Sequence, residues 1–429
     1  MKKIFAGIKK EKLIYFLSVV LCLLVLVAGY FAATGGGKSF YAPPEGSLYL
    51  RAKVTKIIDT VSEHDENGNL LSSDTVFEAE IVSGNEKGTK VTAYQNYSSY
   101  TPFNPRTVRL GDSVIVASFE GVENWNFIDF VRSDALIILT ILFALILILF
   151  GRKKGFKTLI SLALTIIAVI FVFMPAVLLG GNIYFWAVAI CVYIIVMTLI
   201  ITSGISPMSL AASAGCVGGV IVSLLLTLIT DTFINITGNA DPHSIYLIYI
   251  GDGLDLRALI YASIIIGSVG AVMDVAVDIS ASLKELTAKL KNPTMMELFR
   301  SGINIGRDVI GTMSNTLVLA YIGGSMCSLL LYFYNNFANA IYLFNIEIIV
   351  VEILQILVGS IGILLTLPLT ALISAWLYTL KPMRAHIIRE VSGDDAVGEN
   401  KDEFAELLEN AGEFCSGKGE DENGSNECS

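Results

Sequence analysis

Apolar residues along this chain gather into long unbroken runs, and those runs set its architecture. Residues 13–33, 134–150, 158–179, 183–202, 208–230, 256–283, 312–334 and 347–380 are each long and apolar enough to cross about 30 Å of hydrocarbon as a helix. The gap between the first two runs reads differently. At 49–58, 75–82, 89–94, 114–119 and 127–131, alternating or β-branched stretches are separated by turn sequences such as Glu66-Asn67-Gly68-Asn69. The pattern predicts an all-α transmembrane helical bundle of about eight spans, with a small extracytoplasmic all-β domain of five strands inserted between the first two. The expected divisions are a basic N-terminus at 1–12, an anchor at 13–33, the β domain at 34–133, a seven-span bundle at 134–384 and an acidic, disordered tail at 385–429.

Polar residues interrupt this pattern between 263 and 315. At about 100° per residue, Ser263, Gly267, Gly270, Ala271, Asp274, Asp278 and Ala281 share one narrow helix face, with Ser282 at its edge. Ser301, Asn304, Asp308, Gly311, Thr312 and Asn315 share a second, with Arg307 beside it. Residues 295–311, weakened by Gly302, Gly306 and Gly311, are expected as an interfacial or re-entrant helix ahead of the next span. A third stripe comprises Glu352, Gln355, Gly359, Thr366 and Thr370.

A carboxylate at the bilayer centre costs about 2.5–3.5 kcal/mol on insertion scales, so the stripes are expected to turn inward. Arg307 is then the nearest cation for Asp274 or Asp278. Two carboxylates one turn apart repel, which predicts that one holds a proton or that both share a bound cation. The candidate transport site is Asp274, Asp278, Asn304, Arg307, Asp308, Thr312, Asn315 and Glu352. Gly267, Gly270, Gly306, Gly311, Gly359 and Gly362 are expected to let helices approach closely. The plainer reading is an ion pair that only locks helices together.

Composition agrees with a membrane protein: 54% of the 429 residues are hydrophobic, 16% are charged, and mean hydropathy is +0.67. The net charge of −10 concentrates its acids in the β domain and tail, which argues against nucleic-acid binding. Lys2, Lys3, Lys9, Lys10 and Lys12 precede the first run, a basic loop at 151–157 follows the second, and Lys381 and Arg384 follow the last, so both termini are expected in the cytoplasm. Gly35-Gly36-Gly37-Lys38-Ser39 lacks the first glycine of a phosphate loop, and no haem or zinc spacing is present, so neither cofactor nor metal is expected. None of the six cysteines lies in the β domain, and no disulfide framework is readable. The partners expected are membrane lipids, a small solute or ion, and a protein at the extracytoplasmic domain, where Tyr94, Tyr97, Tyr100 and Phe103 form an aromatic loop.

The runs GAVMDVAVDISASLKEL (270–286) and SGINIGRDVIGTMSNTLVLAYIGG (301–324), with GRKKGFKTLISL (151–162), strongly resemble the YibE/F family of bacterial multi-pass membrane proteins. The likeness covers about residues 10–382. It implies an N-terminal anchor, a small extracytoplasmic domain and a helical bundle in a bacterial cell membrane, and it carries over no activity or catalytic residue. Asp278 departs from the family pattern, which has a small hydroxyl residue there. Two functions follow as expectations: a proton- or cation-coupled transporter or permease, or a non-transporting scaffold or assembly factor acting through the β domain. An enzyme is not expected, since neither a two-helix aspartyl spacing nor a Ser/His nucleophile constellation is present.

Overall fold

The structure is a computed structural model that describes residues 2–35, 47–64, 70–98, 106–119, 124–238, 247, 254–336 and 339–395. The chain forms two compact units, Gly37–Leu159 and Met1–Gly36 with Ile160–Ser429. Most of the aromatic loop, residues 99–105, lies outside the described residues, as does the chain beyond 395.

In the first unit, strands β1 (Ser47–His64), β2 (Leu70–Ile81), β3 (Lys90–Ser98), β4 (Ser113–Phe119) and β5 (Trp125–Phe130) close a barrel in the order β1-β2-β3-β5-β4. Neighbours are antiparallel except β3 with β5. This is the order of a five-stranded Greek-key barrel of the OB type. Alternation turns Ala52, Val54, Phe77, Ala79, Ala93, Val114 and Val116 into the interior, where the alanines leave room for the Phe77 ring.

Gln95 is a polar exception inside the barrel. Its amide donates to the Arg106 carbonyl at 2.9 Å and accepts from the Val108 N–H at 2.7 Å, fastening the chain that leads into β4. Arg106 then forks onto both oxygens of Asp112 at 2.8 and 3.0 Å and lies 4.4 Å over the Phe130 ring.

The Arg106 guanidinium, bonded to Asp112, holds that carboxyl below its ordinary value, aided by the Arg109 N–H. A carboxyl with a lower pKa folded than unfolded contributes stability that is complete above the unfolded value of about 4 and is lost as pH falls through the folded value. The barrel of Asp112→Asn should therefore be less stable than wild type at neutral pH, with the difference closing in acid. Trp125 fluorescence in a Trp186→Phe, Trp376→Phe background would follow it.

Helix α2 (Ser133–Ala168) begins in this unit, its start held by Arg51, which donates to Asp134 at 2.9 Å and to the Ser133 hydroxyl at 2.5 Å. Its helical geometry breaks at Arg152, with φ 47° and ψ −124°. The chain there doubles back so tightly that a Cβ on Gly155 would overlap the Leu147 carbonyl. Only glycine fits that turn.

The second unit contains α1 (Lys2–Thr34), a π-helical turn (Val169–Phe173) running into α3 (Met174–Leu178), then α4 (Ile183–Ser203), α5 (Pro207–Ile234) and α6 (Leu256–Lys289). These are followed by α7 (Met295–Gly324), α8 (Met326–Asn336), α9 (Ala340–Leu343), α10 (Glu347–Thr379) and α11 (Lys381–Asp395). Among the described residues, six helices are long and apolar enough to cross a membrane, or seven when α7 and α8, bent by 66°, count as one broken span.

Lipid tails are as apolar as leucine, so close approach and hydrogen bonding must hold such helices together. Along α5, Gly215 abuts Thr370 and Gly219 abuts Thr366, while Gly362 of α10 abuts Ser223. Farther along α10, the Ser374 and Ser280 hydroxyls meet at 3.1 Å, and the Tyr378 hydroxyl donates to the Ser280 carbonyl at 3.0 Å.

Polar clasps close the helix ends. Thr294 and Glu297 form a reciprocal capping box at the start of α7. Glu347 accepts from the N–H groups of Thr237 and Gly238 at 2.9 and 2.6 Å, and Lys284 pairs with Glu390 at 2.6 Å, tying α11 to α6.

Two segments differ from the sequence reading. Helix α7 runs unbroken through Gly311 and bends only after Gly324, because Gly302 and Gly306 are contact points on Ala371 and Leu367 and the backbone stays helical across them. Residues 381–395 continue as helix α11 where an acidic tail was expected from 385.

Candidate functional site

Helices α6 and α7 are neighbours, and both polar stripes lie on their exposed sides. A Cβ on Gly267 would stand 2.6 Å from the Tyr321 hydroxyl, and one on Gly302 would stand 3.0 Å from Leu283 Cδ1, so the two helices run antiparallel. That register puts Asp274 within about a turn of the level of Gly311 and Thr312, and Asp278 within about a turn of the level of Arg307 and Asp308. Asp274 lies about 27 Å from the α6 start at Leu256 and about 22 Å from its end at Lys289, at 1.5 Å per residue. Asp308 is similarly central in α7.

The expectation that the stripes turn inward is corrected. Ser263, Gly267, Gly270, Asp274 and Asp278 of α6, and Asn304, Arg307, Asp308, Thr312 and Asn315 of α7, are all exposed. The inward side of α6 is instead Ser268, Val272, Val275, Ala276 and Ile279, and that of α7 is Leu298, Gly302, Gly306 and Leu317. These small and apolar residues seat the helices against α5 and α10 more closely than a face bearing Asp and Arg could.

The pairing of Arg307 with Asp274 or Asp278 is also absent: the ion pairs in this unit among the described residues are Arg257 with Asp231, and Glu390 with Lys284 and with His386. Arg307 and the two aspartates stand side by side on one open face.

The third stripe splits. Thr366 and Thr370 are fully buried, Gly359 is buried against Leu317, and Glu352 is only half-buried near the other end of α10. Gln355 reaches Ser263 of α6 at 3.4 Å, so the top of this stripe adjoins the α6 stripe while its lower part belongs to the core.

Among the expected contact glycines, Gly267, Gly306, Gly359 and Gly362 do meet neighbouring helices. Gly270 and Gly311 do not: a Cβ on either would meet nothing within 4 Å. They belong to the open face. The core hydroxyls Ser280 and Ser374 and the Tyr378 phenol were missed as a group, although Thr366, Thr370 and Ser374 recur every fourth residue along α10.

Four ionised groups on this face, Asp274, Asp278, Asp308 and Arg307, would together cost about 10–14 kcal/mol at the centre of a bilayer on insertion scales. That is comparable to the whole stability of an ordinary domain, about 5–15 kcal/mol. The face therefore needs water, an ion, or protein against it. Among the described residues no three His, Cys, Asp or Glu side chains converge as a metal centre would require. The carboxylates can instead take up protons singly or hold a loosely bound cation with help from the Asn304, Thr312 and Asn315 oxygens.

Comparison with curated proteins and with solved structures returns no significant match. The sequence profile described as YibE/F-like protein matches residues 139–380, more than half of the chain, from the first arm of α2 to the end of α10. The mid-helix carboxylates, the antiparallel α6–α7 pair and the glycine seam all fall inside that match, and the chain belongs to the YibE/F-like family of membrane proteins.

Proposed function

We propose that this chain is a proton- or cation-coupled transporter or permease of a bacterial cell membrane, working along the α6–α7 face. The break at Arg152 divides the 46-residue stretch Ser133–Leu178, about 69 Å as one straight helix, into two arms that each suit a single crossing. With α1, α4, α5, α6, α7 and α10 this gives eight crossings, which leaves both termini on one side. The basic residues before α1 and around Arg152 favour the cytoplasm for that side, and the barrel then lies outside.

One observation carries the reading. Three carboxylates without a cationic partner among the described residues, Asp274, Asp278 and Asp308, sit at the middle of two membrane-length antiparallel helices beside Asn304, Thr312 and Asn315. Groups that are already neutralised within the fold have no reason to exchange protons or ions, whereas these do. The purified protein in liposomes, under an imposed proton or cation gradient, should pass ions faster than empty vesicles. Asp274→Asn should lose at least about ten-fold of that flux, well within the roughly hundred-fold or more that a positioned proton-transfer group contributes, while accumulating normally. Wild-type vesicles no leakier than empty ones, or an Asp274→Asn protein as active as wild type, would remove the proposal.

The openness of this face favours a second reading, a non-transporting assembly factor whose polar stripes and barrel bind other proteins. On that reading Asp274→Asn changes associations and leaves vesicle permeability at the empty-vesicle level.

A further inference from the structure

We propose that the exposed polar face of α6 and α7 is an intramembrane interface with a second copy of this chain. The inference goes beyond the transport reading and holds whether or not ions move. Hydrocarbon cannot solvate Asp274, Asp278, Arg307 and Asp308, so something polar must cover them. Among the described residues, the apolar helix stretches that could cover this face lack the chemistry. Residues 15–34 of α1, 135–150 of α2 and 326–336 of α8 contain no acidic or basic residue.

The occupant must bring a positive group to the aspartates and a negative group to Arg307. Arg307 lies about 18 Å along α7 from its start, in the polar stripe itself, at 1.5 Å per residue. A second copy supplies both. Two-fold pairing brings Arg307 of each chain to one carboxylate of the other, which leaves two of the three per chain to exchange protons or ions, and the face is self-complementary as such symmetry demands. Gly270 and Gly311 on the same face have open space where a Cβ would stand, so a facing helix can come within hydrogen-bonding reach.

The test uses the full chain in its native membrane at low expression. Cys22, Cys191 and Cys216 are buried and stay in place, and Cys327→Ser, Cys415→Ser and Cys428→Ser remove the others. A short bis-thiol cross-linker is then applied to Gly311→Cys and, as control, to Leu225→Cys, an exposed position on α5 that is 53% accessible. Gly311→Cys should give a product of twice the chain mass, several-fold more than Leu225→Cys. Adding Arg307→Asp should lower that yield by about ten-fold or more, and adding Asp308→Arg as well should restore it, because the charge pattern is again two-signed.

Equal cross-linking at both positions, a product with a chain of different mass, or an unchanged yield with Arg307→Asp would overturn the proposal. If Arg307→Asp does not accumulate, the comparison of Gly311→Cys with Leu225→Cys decides alone.

Discussion

Leucine at both Asp274 and Asp278 should abolish ion movement and leave the bundle at least as resistant to heat as the wild type. In most folds the double substitution would be ruinous, since breaking a buried ion pair strands the partner charge at about 3–5 kcal/mol. Among the described residues of the chain neither aspartate has a cationic partner to strand, and both side chains are exposed. Removing two intramembrane carboxylates recovers on the order of 5–7 kcal/mol of insertion cost, less whatever water at the face already relieves. Stability and function are thus expected to move in opposite directions. Thermal denaturation of the protein held monomeric in detergent, where no second copy's Arg307 is stranded, run beside the vesicle flux assay, tests both halves. A fall in the melting midpoint of more than a few degrees would mean that the carboxylates brace the bundle.

The same residues mark where sequence reasoning stops. Helical periodicity grouped Ser263, Gly267, Gly270, Asp274 and Asp278 on one face, and the structure keeps them together. Periodicity does not say which way a face points. In water a charged face turns outward by default, but within a bilayer the lipid-facing and core-facing sides can be equally apolar, and polarity alone suggests the interior. Here the seam that seats α6 is Val272, Val275, Ala276 and Ile279, a set with the composition of a lipid-facing surface. Single-chain sequence gives no reason to prefer it.

Other features were legible because local chemistry fixes them. The β segment reads as strands because alternation of period two leaves little alternative, and all five appear, with β1 running 18 residues because it pairs with β4 at one end and with β2 along the rest. The α2 reversal was readable from the basic residues that end its first run, whereas the positive φ at Arg152 was not. The unbroken course of α7 was hidden for another reason. Gly302 and Gly306 look like helix breakers in isolation, and only the positions of Ala371 and Leu367 on α10 reveal them as contact points.

Gly219 is where a single methyl group should do the most damage. It lies where α5, α6 and α10 meet, and a Cβ there would overlap the Thr366 hydroxyl and stand 3.0 Å from Val272 Cγ1. Thr366 cannot easily turn aside, because its hydroxyl donates to the Gly362 carbonyl at 2.7 Å and the residue is fully buried. Overfilling a tight core costs about 1–3 kcal/mol for a small addition, so Gly219→Ala should lower the melting midpoint clearly. Gly219→Leu would have to push α10 away along the line of Gly215, Thr370, Ser223 and Gly362, and it should fail to give a monodisperse protein. Gly270→Ala is the matched control, since nothing lies within 4 Å of its would-be Cβ. That variant should keep the wild-type fold and melting midpoint. The three proteins, compared by size-exclusion profile and thermal denaturation in one detergent, separate a helix seam held by close contact from one held by bulk apolarity. Equal behaviour of the Gly219→Ala and Gly270→Ala proteins would mean that the α5–α10 contact is looser than its geometry requires.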